Sequence, residues 1–300
     1  MSGKQKKKLN IKEILTGYAF ASPWILSFLF LFVFPFFFLL VLSFTDARTF
    51  SMTMEFQGLR NFRNIFIDIF IDGELGMQII HTLIYVMLSV PLNLIFALFL
   101  AKLLHAKVRG FSVFRVVFYL PTLVTIVAVA LLWQNIFNYN GVLNTFLRIF
   151  GIQGPDWLKD YFWALPSLVL MGTWSVGGVV VLFLAGLIDV PITLYEAADL
   201  DGITPVAKFF KITLPMISPI IFYNLLMAVI AGFQVFAQPM LMTQGQYNTK
   251  FLGYVIFDLA FGGRGQIGYA AALSLVLLLI VMIFVFIIKA IEKRLIFYND

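Results

Sequence analysis

The sequence predicts an all-α integral membrane protein of six transmembrane helices, with a cytoplasmic helix-turn-helix loop between the fourth and the fifth. Three observations predict it. Hydrophobic residues make up 61% of 300 and charged residues only 12%, with 35 phenylalanines, outside the range of water-soluble domains. The apolar residues gather in six runs of 21 to 27 residues, each long enough to cross the hydrocarbon layer as a helix. Between the fourth and fifth runs, residues 189–215 form a polar island dense in helix start and stop signals.

The elements follow in order. Residues 1–17 carry Lys4, Lys6, Lys7, Lys8 and Lys12 and read as a basic tail beside anionic lipid rather than as a nucleic-acid binder. The run 18–44 exceeds a signal-peptide core of about 7–15 residues and is expected to remain as the first crossing, with Pro23 near its start and a kink at Pro35. It opens a transmembrane domain, 18–300, that includes the island. Residues 45–77 turn polar and acidic, with a short amphipathic piece at 62–70 suited to the interface. The second crossing, 78–104, leads into a basic loop bearing Lys102, His105, Lys107 and Arg109, and the third spans 112–135. A polar loop, 138–161, precedes the fourth crossing, 162–187, with Trp157 and Trp163 placed for an interfacial belt. The fifth is expected at 216–242 and the sixth at 268–288.

An even number of crossings puts both termini on one side. With both termini, the second-to-third loop and the island inside, that side holds 14 of the 21 lysines and arginines, the bias expected of a cytoplasmic face. Cysteine is absent, which removes disulfides and thiolate metal sites, and no metal or cofactor site is expected in this chain.

Within the island, Thr193 and Glu196 have the spacing of a capping box, with Pro191 just outside. Gly202 is expected to end the first short helix in a left-handed turn. Thr204 and Pro205 restart a second helix as cap and first residue, and Pro215 is expected to close it.

Glu196-Ala197-Ala198, Asp201-Gly202 and Ile212-Thr213-Leu214-Pro215 resemble the EAA loop of ATP-binding-cassette importer permeases. Pro23, Pro35, the stretch Leu42-Ser43-Phe44-Thr45-Asp46, Gly58-Leu59-Arg60-Asn61-Phe62, Pro121 and Gly268-Tyr269-Ala270-Ala271 resemble the first of the two permeases in carbohydrate and glycerol-phosphate systems. The similarity runs over about 18–294. It implies that Tyr195, Glu196, Ala197, Ala198, Asp199, Leu200, Asp201, Gly202, Phe209 and Pro215 face a partner ATPase. It further implies a prokaryotic plasma membrane, a second homologous permease, two ATPase subunits that carry ATP and Mg, an extracytoplasmic solute-binding protein and a sugar substrate. Read locally, Glu196 is equally a capping residue and Gly202 equally a turn; the two readings are compatible. One departure from the family pattern is the stretch 243–249, Thr-Gln-Gly-Gln-Tyr-Asn-Thr, where a Gly-Gly-Pro-type loop is usual.

The residues also limit the transport chemistry. No GxxxxGK[ST] phosphate loop occurs, so ATP hydrolysis is assigned to a partner and the chain is read as a transport subunit, not an enzyme. No Asp or Glu lies in the middle third of any crossing, which disfavours an ion-coupled carrier. For the substrate path, Asn224, Ala231 and Gln238 are seven apart and fall on one stripe of a continuous fifth helix, with Gln234 and Tyr223 beside it. Amides flanked by rings suit hydroxyl-rich solutes, and they equally suit hydrogen bonds between neighbouring helices. Trp174, Asn93 and Gln134 are weaker candidates for the same path. The rival readings are a glycerol-phosphate or polyol importer, an ion-coupled carrier and a non-transporting scaffold.

Overall fold

The computed structural model describes residues 11–49, 54–105, 111–263 and 265–295, so Lys4, Lys6, Lys7, Lys8, Lys107 and Arg109 of the two basic segments lie outside the described residues. The described backbone is helical, with an isolated bridge between Thr45 and Phe56 and no longer strand among the described residues.

The first crossing comprises α1 (Ile11–Phe28), a π turn at Leu29–Val33 and α2 (Phe34–Leu42). The helix starts at Ile11, ahead of the apolar run, because nothing between Lys12 and Gly17 stops it. The π turn lies just before Pro35. There the Phe34 N–H bonds the Leu29 carbonyl, five residues back, and the wider turn accommodates a proline ring that a regular helix would crowd.

Next comes α3 (Arg60–Phe70), the expected amphipathic piece, with Asn61 and Ile65 buried. The Asn61 amide donates to the carbonyls of Ser43 (2.9 Å) and Thr45 (2.8 Å), tying α3 to the end of the first crossing. The second crossing is α4 (Glu74–His105), unbroken over 32 residues.

The third crossing departs from the sequence expectation of a continuous helix. It comprises α5 (Phe111–Tyr119), a 3₁₀ turn at Leu120–Leu123 and, after extended Val124 and Thr125, α6 (Ile126–Phe137). Pro121 sits in that turn and explains it, since a proline in a helix interior removes a hydrogen bond. A helix missed in the following loop, α7 (Val142–Ile149), is held there by Asn144, whose amide donates to the carbonyls of Tyr139 and Pro155.

The fourth crossing is a pair, α8 (Ala164–Thr173) and α9 (Gly177–Ile188), bent by 50°. Its break nests against the break of the third: a Cβ on Gly177 would lie 2.3 Å from the Phe118 carbonyl oxygen, so only glycine permits the approach.

The island contains α10 (Ile192–Leu200), α11 (Pro205–Lys208), a π turn at Phe209–Thr213 and α12 (Leu214–Met216). It turns by 68° into α13 (Ser218–Phe233), which ends nine residues short of the expected Met242. Short α14 (Ala237–Met242), then α15 (Leu252–Phe261), which the sequence reading left as loop, lead to α16 (Ile267–Leu295). By length and composition Leu15–Leu42, Glu74–His105, Ile126–Ile149 (α6 carried on through α7) and Ile267–Glu292 are long and apolar enough to cross a membrane, and the count reaches six when each bent pair is taken as one crossing.

Two apolar cores hold the bundle. The larger joins α4, α6, α8, α13, α15 and α16 around Phe137, Leu168, Phe233, Phe251 and Leu273. The smaller packs Ala97, Leu100, Ala101 and Leu104 of α4 against Val180, Phe183, Leu184 and Leu187 of α9, with Ile217 beneath them, and lies directly over the island. The first crossing contributes to neither core, and Phe20, Phe30 and Phe32 are exposed along it.

Candidate functional site

The island is built as one braced unit. Pro191, with extended backbone, ends the incoming chain, so α10 begins at Ile192 and Thr193 is already helical. Its hydroxyl caps nothing, and the predicted Thr193–Glu196 capping box does not form. The other end of α10 matches expectation. Gly202 has φ +68°, the Ile203 N–H bonds the Ala198 carbonyl and the Gly202 N–H bonds that of Asp199, the paired bonds of a Schellman turn. Thr204 Oγ1 then accepts from the Ala207 N–H at 3.4 Å, with Pro205 first in α11.

Pro215 does not close this helix, contrary to expectation. A π turn ahead of it lets the Leu214 N–H reach the Phe209 carbonyl, and the chain stays helical to Met216. The first crossing and the island thus admit a proline by the same device.

Two side-chain contacts cross-link the two arms, and a third ties the second arm to α4. The Tyr195 hydroxyl meets the buried Thr213 Oγ1 at 2.8 Å, Lys208 pairs with Asp199, and Lys102 of α4 stands 4.1 Å from the centre of the Phe209 ring. Ala198 faces inward, 3% exposed, whereas Leu200 is 91% exposed at the turn, beside exposed Glu196, Ala197, Asp199, Asp201 and Gly202. Glu196 makes no side-chain hydrogen bond or ion pair with any described residue. Exposed Ile192, Val206 and Phe210 add apolar surface to this face. The arrangement presents an apolar and acidic knob on a stiff base, joined directly to the two bent crossings.

The path candidates separate into two groups. Because α13 stops at Phe233, the stripe of Asn224, Ala231 and Gln238 does not exist as one helix face. The cause is Pro239, whose ring would meet the Val235 carbonyl in a continuous helix; it sits instead in the first turn of α14. Asn224 is buried and donates to the Ile220 carbonyl of its own helix at 2.8 Å, while Tyr223 is exposed. Gln234 is exposed and lines a cleft with Gly253 and Ser274.

Gln238 joins a different cluster: its Oε1 accepts from the Tyr85 hydroxyl at 2.9 Å. Gly172 lies beside both Tyr85 and Asn93, and Trp174 meets Trp133 edge-on at 6.4 Å. Asn93 Oδ1 and Trp133 Nε1 are buried without a partner among the described residues. Sequence reasoning missed Tyr85 and Trp133. A signal for Tyr85 was present, since Gln78, Thr82, Tyr85, Ser89 and Asn93 recur at helical spacing and the first four are buried on the inner face of α4. Gln134 belongs to the end opposite the island, where its amide donates to the Leu241 carbonyl at 2.7 Å.

Residues 75–297 match the family described as binding-protein-dependent transport system inner membrane component. The chain is 39% identical to the probable ABC transporter permease protein YesP of Bacillus subtilis, over 91% of this chain and 89% of that one. It is 30% identical to the lactose transport system permease protein LacF of Rhizobium radiobacter, over 88% and 89%. Its fold matches a chain in the crystal structure of a bacterial alginate ABC transporter in complex with an alginate pentasaccharide-bound periplasmic protein, with a TM-score of 0.81 at 24% identity, over 95% of this chain and 96% of that one. A polar helical island set between bent membrane crossings, in a chain matched over most of its length, leads to one conclusion: this protein belongs to the family of binding-protein-dependent transport system inner membrane components.

Proposed function

We propose that the chain is the sugar-translocating permease subunit of an ATP-binding-cassette importer, with both termini and the island in the cytoplasm. The observation that carries this reading is the island itself, braced within and apolar at its tip. Such a knob suits insertion into a groove of a partner ATPase, which would hold ATP and Mg and supply the energy. A second, similar permease would complete the pathway, with the uncovered first crossing available to it or to lipid. A second ATPase would sit beneath that partner, and a solute-binding protein would deliver the sugar.

The mechanism follows from the connections. Closure of the ATPases moves α10 and α11 together, because Tyr195–Thr213 and Lys208–Asp199 resist their separation. The movement reaches α9 and α13 through the core at Leu187 and Ile217. Both crossings are already broken, which concentrates the change at the breaks beside Trp174 and Gln238. Solute would pass the Tyr85–Asn93–Trp174–Gln238 cluster, where rings and amides without arginine suit a neutral sugar better than a glycerol phosphate. Similarity to the lactose permease supports the same substrate class.

The test is reconstitution with the partner subunits in proteoliposomes. ATP-dependent uptake of oligosaccharide, unaffected by ionophores, is the expected result; uptake that collapses with the ion gradient and ignores ATP contradicts it.

A further inference from the structure

At the end of the bundle opposite the island, the C-terminal end of α6, the segment after α7 and the α14–α15 loop enclose a cleft of about 460 Å³, within the usual range for sites that hold small molecules. Its lining does not include Tyr85, Asn93, Trp174 or Gln238, although Phe137 of its wall packs against Trp133 with ring centres 4.9 Å apart. Its walls include Tyr139, Asp156, Lys159, Gln244, Gln246 and Tyr247. Among the described residues, Asp156 and Lys159 make no side-chain hydrogen bond or ion pair with each other or with any neighbour, and the Gln244 and Gln246 amides are equally uncommitted.

The wall is fixed in place although it is irregular. Gln244, Tyr247 and Asn248 have φ of 53°, 56° and 63°, a region that residues other than glycine rarely occupy. Contacts outside the cleft hold them there. The Asn248 amide donates to the Tyr161 carbonyl at 3.2 Å, Tyr161 meets Tyr247 edge-on at 5.3 Å, and the Tyr254 hydroxyl donates to the Gln244 carbonyl at 3.4 Å. Burial, and then the charge of Asp258, push the Tyr254 phenol up from its ordinary value, so this donor keeps its proton throughout the neutral range.

Two tyrosine rings, one carboxylate, one ammonium and two free amides match a solute that offers C–H faces for stacking and hydroxyls that both donate and accept. An anion would meet Asp156, and a purely apolar ligand would strand the amides. We propose that this cleft is an entry subsite for an oligosaccharide, occupied before the sugar reaches the Tyr85–Gln238 cluster. The inference rests on the sugar-importer reading above.

The test uses the assembled transporter and one probe, a library of short oligosaccharides from partially hydrolysed plant cell-wall polysaccharide together with lactose. Uptake by the wild type, with its binding protein present, identifies by mass spectrometry the sugars that are transported. Saturation-transfer NMR of those sugars against the transporter in nanodiscs, without binding protein, then reads the subsite. Wild type should give a signal, and Asp156→Asn combined with Gln246→Ala should lower it about fivefold or more. Tyr139→Leu, which keeps an apolar side chain but removes the ring face, should do the same, while Asn64→Ala within α3 should not. Exposed Lys159→Ala serves if either variant fails to assemble. Uptake by wild type with signals unchanged in the variants overturns the subsite alone; absence of any wild-type uptake removes the sugar reading and the subsite with it.

Discussion

Removing the Tyr195–Thr213 contact should loosen the island without dismantling it. The two hydroxyls lie 2.8 Å apart and Thr213 is 6% exposed, so Tyr195→Phe leaves a buried hydroxyl without this partner. The cost is about 1–3 kcal/mol, whereas removing both groups, in Tyr195→Phe with Thr213→Val, leaves no stranded donor and should cost little more than one single variant. The pair should therefore be non-additive by about 1 kcal/mol or more in thermal unfolding of the purified complex. About 1 kcal/mol is close to a fivefold change in the population of the braced arrangement. Uptake per ATP hydrolysed should fall by about that factor in all three variants while ATP hydrolysis continues. Strict additivity of the single variants, with an unchanged ratio of uptake to hydrolysis, would refute the view that the two arms move as one lever.

Other variants probe separate parts of the account. Glu196→Lys and Gly202→Asp should abolish uptake yet leave insertion into the membrane intact, as judged by protease accessibility; normal uptake by both would remove the coupling role. No heavy atom lies within 4 Å of a Cβ on Gly202, so Gly202→Ala should cost only the left-handed backbone penalty, about 1–2 kcal/mol, measurable as lowered thermal stability. Lys208→Met should cost under about 1 kcal/mol, less at high salt, because Asp199 is largely exposed. Tyr85→Phe strands the Gln238 carbonyl and should lower uptake about fivefold, with ATP hydrolysis retained; a normal transport rate would exclude this cluster from the path.

Much of the island was legible because its signals are local. Gly202 and the Thr204-Pro205 pair each settle a backbone angle or satisfy an amide within three residues, and both appear as read. Thr193 failed because Pro191 starts the helix two residues earlier than a threonine cap requires. The crossings were legible as lengths of apolar sequence but not as shapes. Hydropathy averages over a window and is blind to Pro121 and Pro239, which interrupt the third crossing and separate α14 from α13. Only the second of these changes the candidate path, since it takes Gln238 off the Asn224 stripe and delivers it to Tyr85. That pairing spans 153 positions and no local pattern encodes it. Likewise α7 and α15 are stabilised by packing and by partners such as Asn144 and the Thr82 hydroxyl, which accepts from the Leu252 N–H, contacts invisible to periodicity.

The central claim is that the exposed end of the island seats a partner ATPase. The chain has no cysteine, so Glu196→Cys and, at the 91% exposed tip, Leu200→Cys each create a unique attachment point for a short photoactivatable cross-linker. Cross-linking in native membranes followed by mass spectrometry should recover a protein with a GxxxxGK[ST] phosphate loop, with a yield that changes when ATP is supplied. Adducts confined to lipid or to the protein's own chain at both positions, in membranes that still take up sugar, would contradict the account.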